Sequence, residues 1–387
     1  MINRAALRTW DAKWAAIALA TGVLLIFVVL PMLYLIWRSV GGAFDFATYR
    51  EVYSQIANWK AFRNTIYISL AVTGASILVT FPLAWLVGRT DLPGRGFFRT
   101  TFVASYMIPP YVGAIAWTQL ANPNVGYLNE WLVGAVGLAV APFNIYGAGG
   151  LVWCLTLFYS PFAFITISRA LEKMDPSLEE ASRVAGASPL KTLWRVTLPL
   201  MFPSIVAGGV LVFIGAGSAF GIPAIVGMPA QIEVLTTRIV TYVYLGTGKG
   251  IHDATALAVS LMIAANFILY ASTWMLARKD YVTISGKSTR PALVELGMWK
   301  WPLTLVVSLY GLVAIVLPIG SIIVTSMIKS LSRPITLDNL TFRNWLAALG
   351  NDQYMTPLGI SFITATVAAT AATILAIFIA YLLIKTR

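Results

Sequence analysis

Side chains that could bind a metal ion or carry out covalent catalysis are scarce in this sequence. Its 387 residues include one cysteine and one histidine. Cys154 lies in an apolar run, has no second cysteine to pair with, and is expected to pack there. His252 lies near the predicted start of a helix, and a single imidazole does not build a metal site. The sequence therefore predicts neither a metal site nor catalytic residues.

Two glycine-rich stretches could be mistaken for nucleotide-binding loops. Gly286-Lys287-Ser288-Thr289 is similar to the end of a phosphate-binding loop, but Tyr281 stands where that motif needs its first glycine. An apolar run precedes it, not a strand, so a basic linker is predicted. The stretch from Gly246 to Gly250 fails the same test. No cofactor is therefore expected in this chain.

The most informative polar stretch runs from Asp175 to Pro199, between two long apolar runs. Its first half predicts a short helix, with Asp175 as N-cap, Pro176 at the first helical position and Gly186 at the end. One face of this helix is apolar, and charged residues lie around the side. The apolar face holds Leu178, Ala181 and Ala185, and the charged residues are Glu179, Glu180 and Arg183.

The second half of this insert predicts another short amphipathic helix. Ser188-Pro189 repeats the start signal, and Pro199 is expected to end the helix. An apolar stripe of Leu190, Leu193 and Trp194 lies opposite Lys191 and Arg195.

The insert resembles the EAA motif of ABC importer permeases. Glu180-Ala181-Ser182, Gly186 and Val196-Thr197-Leu198-Pro199 keep the spacing of that motif, with Ser182 in place of Ala and Val196 in place of Ile. In that family the motif forms cytoplasmic coupling helices that sit in a groove of the ATP-binding subunit. A generic polar loop would explain the charge but not the spacing. The resemblance implies these coupling residues: Glu180, Ala181, Ser182, Gly186, Leu190, Trp194, Leu198 and Pro199.

The composition indicates a membrane protein. Hydrophobic residues make up 58% of the chain and charged residues only 11%, against about 25% charged in soluble domains. The net charge of +12 could suggest nucleic acid as a partner. However, the charges lie in short clusters between apolar runs, which fits membrane topology better. A lipid bilayer is therefore the expected surrounding, and no nucleic acid is expected.

The apolar runs predict an all-α fold, a polytopic membrane helical bundle of about eight spans. The spans are expected at about 15–37, 65–88, 100–121, 147–169, 201–225, 254–277, 302–327 and 358–384. Residues 1–285 would form a first unit of six spans, with the insert 175–199 between the fourth and fifth. Residues 286–387 would form an incomplete second unit of two spans.

The distribution of basic residues predicts the orientation. With the N-terminus inside, about two thirds of the 27 Lys and Arg residues fall in cytoplasmic pieces. This places the insert and both termini in the cytoplasm. The resemblance to ABC importer permeases implies a cell inner membrane. The first apolar run is too long for the core of a signal peptide, so an uncleaved span is predicted.

Two constant offsets indicate an internal repeat. Lys13-Trp14 and Leu30-Pro31 recur 287 residues later as Lys300-Trp301 and Leu317-Pro318. The stretches that begin at Phe46 and Ala84 recur 296 residues later. Over nearly the whole chain this organisation resembles fused double permeases of the iron(III) and thiamine importer type. The second half lacks further spans and its own EAA insert, which suggests a truncated form of a longer chain.

Some residues could line a translocation path: Met107, Pro109 and Pro110 in the third span, Gly215 and Gly217 in the fifth, and Asn266 in the sixth. The alternatives are a packed kink, close helix packing and a buried hydrogen bond between helices, respectively. The segment from Phe220 to Arg238 resembles the extracytoplasmic end of the fifth span in iron(III), thiamine and polyamine permeases. In those permeases this region faces the docked binding protein.

Taken together, these features predict the membrane subunit of an ATP-driven importer, itself not an enzyme. Its partners would be ABC ATPase subunits, which bind Mg-ATP, and a periplasmic solute-binding protein. Iron(III) is the favoured cargo, with thiamine, polyamines and phosphonates left open. The alternative is a secondary transporter or channel that works without ATP, and a membrane-bound enzyme is a third reading.

Overall fold

The computed structural model describes residue 14 and residues 17–40, 46–277, 293–330 and 335–385, with residues 381–385 described by their backbone alone. Within these ranges the chain is helical, and its only β-structure is two isolated bridges. The helices of seven or more residues are α1 Ile17–Ser39, α2 Ala47–Ser54, α3 Ile56–Arg89, α4 Arg95–Ala104, α5 Pro110–Ala121, α6 Tyr127–Val136, α7 Ala148–Lys173, α8 Ser177–Val184, α9 Pro189–Ser218, α10 Leu235–Tyr244, α11 Gly248–Ala277, α12 Gly297–Ser326, α13 Arg343–Leu349 and α14 Asp352–Lys385.

The predicted all-α membrane bundle is confirmed. In the described part of the chain, seven helices are long and apolar enough to cross a membrane. They are α1, α3, α7, α9, α11, α12 and α14. The prediction of about eight spans counted one more, over residues 100–121.

That third predicted span is not one helix. α4 ends at Ala104, a 3-10 turn covers Ser105–Met107, and α5 begins at Pro110. Ile108 has ψ 118° and Pro109 has ψ 128°, so both leave the helical region. The cause is the proline pair, because a residue before proline is pushed toward extended backbone and neither proline donates a hydrogen bond.

A single proline has a different effect in three of the long helices. In each helix a five-residue π turn comes directly before a Leu-Pro pair, and the leucine amide donates to the carbonyl five residues back. Proline removes one donor and its ring crowds the preceding turn, and the wider turn makes room so that the helix continues. These turns are Leu25–Val29, Leu193–Thr197 and Leu312–Val316.

The first and last residues of several helices repeat with the same two offsets, 287 and 296 residues. The π turns of α1 and α12 lie 287 residues apart at both ends. α3 and α14 each contain 34 residues, and their first and last residues lie 296 positions apart. The short helices α2 and α13 begin 296 residues apart. A pattern of two spans with a short helix between them thus occurs twice along the described chain.

The described residues group into two compact units. One is Ala47–Ile322, and the other joins the residues before Ala47 to those after Ile322. The boundary predicted near residue 285 lies outside the described residues and stays a prediction.

The core of the unit Ala47–Ile322 is formed by α3, α7 and α9, which pack against one another. α7 is the most buried of the described spans. Glycines permit close helix approaches, and two of them illustrate this. A Cβ atom on Gly208 of α9 would lie 3.0 Å from the Cα atom of Ala163 in α7, and one on Gly113 of α5 would lie 1.9 Å from Cζ of Phe158. Side-chain size at these positions therefore sets the spacing of the helices.

We expect Gly208→Val to destabilise the bundle, because the added atoms meet the backbone of α7 and not a movable side chain. Overpacking of this kind costs about 1–3 kcal/mol. Gly74→Val on α3 is the matched control, since a Cβ atom there has no neighbour within 4 Å. Thermal unfolding of the purified chain in detergent measures both. Equal melting temperatures for the two variants would contradict close packing at Gly208.

Candidate functional site

The first helix of the polar insert begins at Ser177, one residue after the predicted start at Pro176, and Asp175 still binds its first amide. The amide of Ser177 donates to Asp175 Oδ1 at 2.9 Å, directly before α8. This amide and the Ser177 hydroxyl hold the pKa of the Asp175 carboxyl below its usual value. The cap satisfies a donor that would otherwise have no partner at the helix start.

Gly186 ends α8 in the predicted left-handed conformation, with φ +83°. Its amide donates to the Arg183 carbonyl at 2.9 Å, and the Ala187 amide donates to the Ser182 carbonyl at 3.1 Å. These two bonds form a Schellman motif, which needs a residue that tolerates positive φ at this position. The turn fixes the angle between α8 and the helix that follows.

The second helix of the insert begins as predicted but does not end as predicted. The Lys191 amide donates to the Ser188 hydroxyl at 3.3 Å, which caps α9. Pro199 was expected to stop the helix, and this is wrong, because α9 runs through it from Pro189 to Ser218. The π turn Leu193–Thr197 accommodates the proline. The second half of the insert is therefore the first part of a membrane span.

Glu179 is the buried acid of the insert, and the prediction that placed it around the charged side of α8 is wrong. Its Oε1 atom accepts a hydrogen bond of 2.7 Å from the Thr197 hydroxyl in the π turn. Its Oε2 atom lies 3.7 Å from Nε of Arg89 at the end of α3. The side chains of Arg89 and Glu179 are only 2% and 10% exposed. This ion pair is within 4 Å but longer than a hydrogen bond.

Arg89 also binds the end of α7. Its Nη2 atom donates to the carbonyls of Leu171 and Met174, at 2.6 and 3.0 Å. Carbonyls at a helix C-terminus lack partners within the helix, and the helix dipole favours a cation there. Arg89 therefore connects the ends of α3 and α7 to the acid of α8.

The backbone beside Arg89 is tied to the segment that leads into α12. The Val294 amide donates to the Arg89 carbonyl at 2.9 Å, and the Asp91 amide donates to the Val294 carbonyl at 3.2 Å. Asp91 accepts from the Leu296 amide and from Lys300, both at 3.0 Å. These contacts lower the pKa of the Asp91 carboxyl, and the hydrogen bond from the Leu296 amide has the largest effect.

Sequence reasoning missed Arg89, Glu179 and Thr197. Arg89 was counted only as one of several basic residues in a cytoplasmic piece. One signal was present, because Arg89 directly follows a long apolar run and begins a short polar stretch. The sequence alone gives no partner for it, since Leu171 and Met174 lie 82 and 85 positions away.

Several of the predicted coupling residues are on the surface of the insert, two on α8 and two on α9. Glu180, Ala181, Leu190 and Trp194 are exposed, and so is Val184, which was not predicted. The remaining predicted residues shape the insert. Ser182 and Thr192 share a hydroxyl hydrogen bond of 3.0 Å between α8 and α9. Leu198 packs against the core, and Pro199 is exposed.

The residues predicted to line the path divide into two groups. Met107 and Pro109 are exposed in the break between α4 and α5, and Pro110 begins α5. By contrast, a Cβ atom on Gly215 would lie 2.6 Å from Tyr159, and one on Gly217 would lie 3.2 Å from the Ser69 hydroxyl. The two glycines thus lie at helix contacts, which is the packing alternative.

Asn266 is not the buried polar residue that the sequence suggested. It is exposed, and its side-chain amide donates to the Met262 carbonyl of the same helix at 2.8 Å. Its hydrogen bond therefore stays within α11.

The segment from Phe220 to Arg238 connects α9 to α10 and includes the first residues of α10. After α9 it forms a π turn over Pro223–Gly227 and then enters α10. The Thr236 hydroxyl donates to the Ala219 carbonyl at 2.7 Å. Arg238 Nε donates to Asn58 Oδ1 at 2.9 Å, and its guanidinium lies 5.2 Å from the centre of the Tyr242 ring. These bonds hold α10 against the start of α3.

The described residues bring no three His, Cys, Asp or Glu side chains together in a way that could hold a metal ion. Cys154 is fully buried. Gly286-Lys287-Ser288-Thr289 lies outside the described residues.

Two curated relatives illustrate the range of similar proteins. The putative ferric transport system permease protein FbpB 1 of Haemophilus influenzae is 26% identical over 239 residues, which cover 61% of this chain and 37% of that protein. The molybdenum transport system permease protein ModB of Escherichia coli K12 is 26% identical over 224 residues, covering 56% of this chain and 93% of that one. The chain thus spans about a third of the length of the ferric relatives it matches.

A solved structure has a similar fold. A chain of a bacterial ABC transporter involved in the import of alginate aligns with a TM-score of 0.58 and 21% identity, over 70% of this chain and 97% of that chain. The profile described as "binding-protein-dependent transport system inner membrane component" matches residues 80–279, which include α7, the whole insert, α9 and α11. Because this match covers just over half of the sequence, the chain belongs to the family of binding-protein-dependent transport system inner membrane components.

Proposed function

We propose that this chain is the membrane-spanning subunit of an ABC importer and that its insert, residues 175–199, receives movement from a separate ATPase. One observation carries the proposal. The insert is fastened on its inner side by the buried Arg89–Glu179 pair, while its outer side presents exposed apolar residues. A rigid support with an uncovered apolar surface is the arrangement that a force-transmitting contact needs.

The uncovered surface consists of Val184, Leu190 and Trp194, which are 90%, 64% and 63% exposed. Glu180 of α8 is exposed as well. Membrane spans expose apolar residues to lipid, but Leu190 and Trp194 lie in the first turns of α9, next to Lys191 and Arg195. Lipid tails are not expected at this charged end of the helix. Aromatic residues in the centre of protein interfaces contribute much of the binding energy. We infer that the ATPase covers this surface.

The distribution of basic residues supports a cytoplasmic position for the insert, with both termini on the same side. On the opposite side the segment from Phe220 to Arg238 would meet a solute-binding protein. The chain then alternates between two access states, and the difference in how the ATPase binds each state drives the change. Mg-ATP is bound and hydrolysed on the partner, so no catalytic residue is required here.

We further propose iron(III) as the cargo, supported by the similarity to ferric permeases and by the repeated pair of spans. The molybdenum permease, which has the same sequence identity, makes molybdate the competing cargo. The described residues of this chain include no cluster of metal ligands. Selection would therefore rest with the binding protein, and this chain would conduct what that protein delivers.

Trp194→Ala should weaken binding of the ATP-binding subunit of the same importer. Loss of a central aromatic contact costs about 2 kcal/mol, which is roughly 30-fold in affinity. Trp131→Ala is the matched control, because Trp131 on α6 is also 63% exposed but lies outside the insert. Binding of the two purified proteins in detergent measures this difference. An equal loss of affinity in both variants would show that the insert does not form the interface with the ATP-binding subunit.

Gly186→Val should uncouple ATP hydrolysis from uptake without preventing membrane insertion. No atom lies within 4 Å of a Cβ atom at this position, so the effect comes from backbone strain at φ +83° and not from a clash. A residue with a Cβ atom in this conformation costs about 1–2 kcal/mol. Gly186→Asn is the control, because asparagine tolerates positive φ. Solute transported per ATP hydrolysed in proteoliposomes is the readout, and normal coupling in the valine variant would argue against a fixed angle here.

Deletion of this chain from its native cells should abolish uptake of radiolabelled iron(III) and leave molybdate uptake unchanged, with restoration on re-expression. If molybdate uptake is lost instead, iron(III) is the wrong cargo but the transport function stands. If neither changes, the solute binding protein should be purified and its bound ligand identified by metal analysis and mass spectrometry.

A further inference from the structure

We propose that Arg89 is a positioning residue for energy coupling, which locks the insert to the inner ends of α3 and α7 so that they move as one body. This inference rests on the proposed function of the insert, and it assigns a role to a residue outside the EAA-like motif. Arg89 acts through Glu179 and does not itself touch the exposed surface of the insert.

The first step of the argument is the energetics of the buried charge. An arginine side chain stays charged in proteins and is costly to remove from water unless it is paired. With 2% of its side chain exposed, Arg89 depends on the Leu171 and Met174 carbonyls and on the Glu179 carboxylate for compensation. Any movement of α8 away from α3 would separate the two charges of the pair, and each would lose its counter-ion.

The second step is that these partners belong to different helices. Leu171 is in the last turn of α7, Glu179 is in α8, and Thr197, which donates to Glu179, is in the π turn of α9. Arg89 itself is the last residue of α3. A single buried cluster therefore joins four helices at one place, and the insert cannot swing on its two ends as a loop would.

The third step extends the cluster to the start of α12. The Arg89 carbonyl accepts from Val294, and Asp91 holds Lys300 on α12. A displacement of the insert would thus reach the inner ends of α3, α7, α9 and α12 together. The chain also repeats the basic residue, since Lys385 ends α14 at the position that matches Arg89 with the offset of 296.

The test measures the mobility of the insert in the full chain, without any ATPase. Val184→Cys places a spin label on α8 at a residue that is 90% exposed, and the native Cys154 is fully buried. The parent chain without Val184→Cys should take up no label, which is the labelling control. The label spectrum is then compared among Arg89→Gln, Glu179→Gln and Arg99→Gln backgrounds. Arg99 pairs with Glu172, also near the end of α7, but both side chains are nearly half exposed.

We expect Arg89→Gln and Glu179→Gln each to shift the spectrum toward the mobile component, and Arg99→Gln to leave it unchanged. The double variant Arg89→Gln/Glu179→Gln should lie closer to the parent than either single variant, because it leaves no unpaired buried charge. In Arg89→Lys the label should be less mobile than in Arg89→Gln but more mobile than in the parent, because an ammonium group keeps the charge and lacks the planar set of donors. A melting temperature recorded for every variant separates local loosening from global unfolding.

An immobile label in Arg89→Gln, in a chain that remains folded, would overturn the inference and leave the proposed function intact. Additive effects in the double variant would also overturn it, because independent sites would then be at work. In proteoliposomes with the ATP-binding subunit, Arg89→Gln should transport less solute per ATP hydrolysed, and Arg99→Gln should match the parent. Failure of that subunit to bind even the unmodified chain would instead reject the proposed function.

Discussion

The compensation of one buried positive charge organises the polar end of the unit Ala47–Ile322. Arg89 cannot be neutralised by losing its proton, so its surroundings must supply the compensation. They do so with two carbonyls at the end of α7 and one carboxylate on α8. The carboxylate in turn needs a donor, and Thr197 supplies it. Each requirement fixes the position of another helix, which is why a polar insert of about two dozen residues has a defined place against the bundle.

A second constraint is that backbone groups in apolar surroundings need partners. It produces different structures from similar residues. A single proline after leucine leaves the helix continuous with a π turn before it, as at Pro199, whereas the pair Pro109-Pro110 ends one helix and begins another. A single proline removes one backbone N–H donor and the helix continues, whereas the proline pair removes two consecutive donors and the helix is interrupted.

Local signals in the sequence predicted local structure well. The cap at Asp175, the turn at Gly186 and the start at Ser188 depend on residues within a few positions, and the structure shows all three. The burial of Glu179 could not be predicted in this way, because periodicity treats Glu179 and Glu180 alike and the difference comes from Arg89, 90 residues earlier in the chain. Pro199 was misjudged because an isolated proline is a stop signal only where no wider turn absorbs it. Glycine suits close helix packing and an open lining alike, so the sequence left both alternatives open for Gly215 and Gly217, and the structure places both at helix contacts.

The two sides of the insert therefore have opposite physical character, and this asymmetry bears on how a transporter of this family could work. On the inner side, charge compensation makes displacement costly, so the insert and the helix ends behave as one rigid part. On the outer side, the exposed apolar residues gain by contact with a partner, and such contact is reversible and non-directional. A partner that changes shape can thus move the whole cluster without breaking it. If the inner side of the insert were loosely held instead, a moving partner would displace the insert alone. The movement would then not reach α3, α7, α9 and α12.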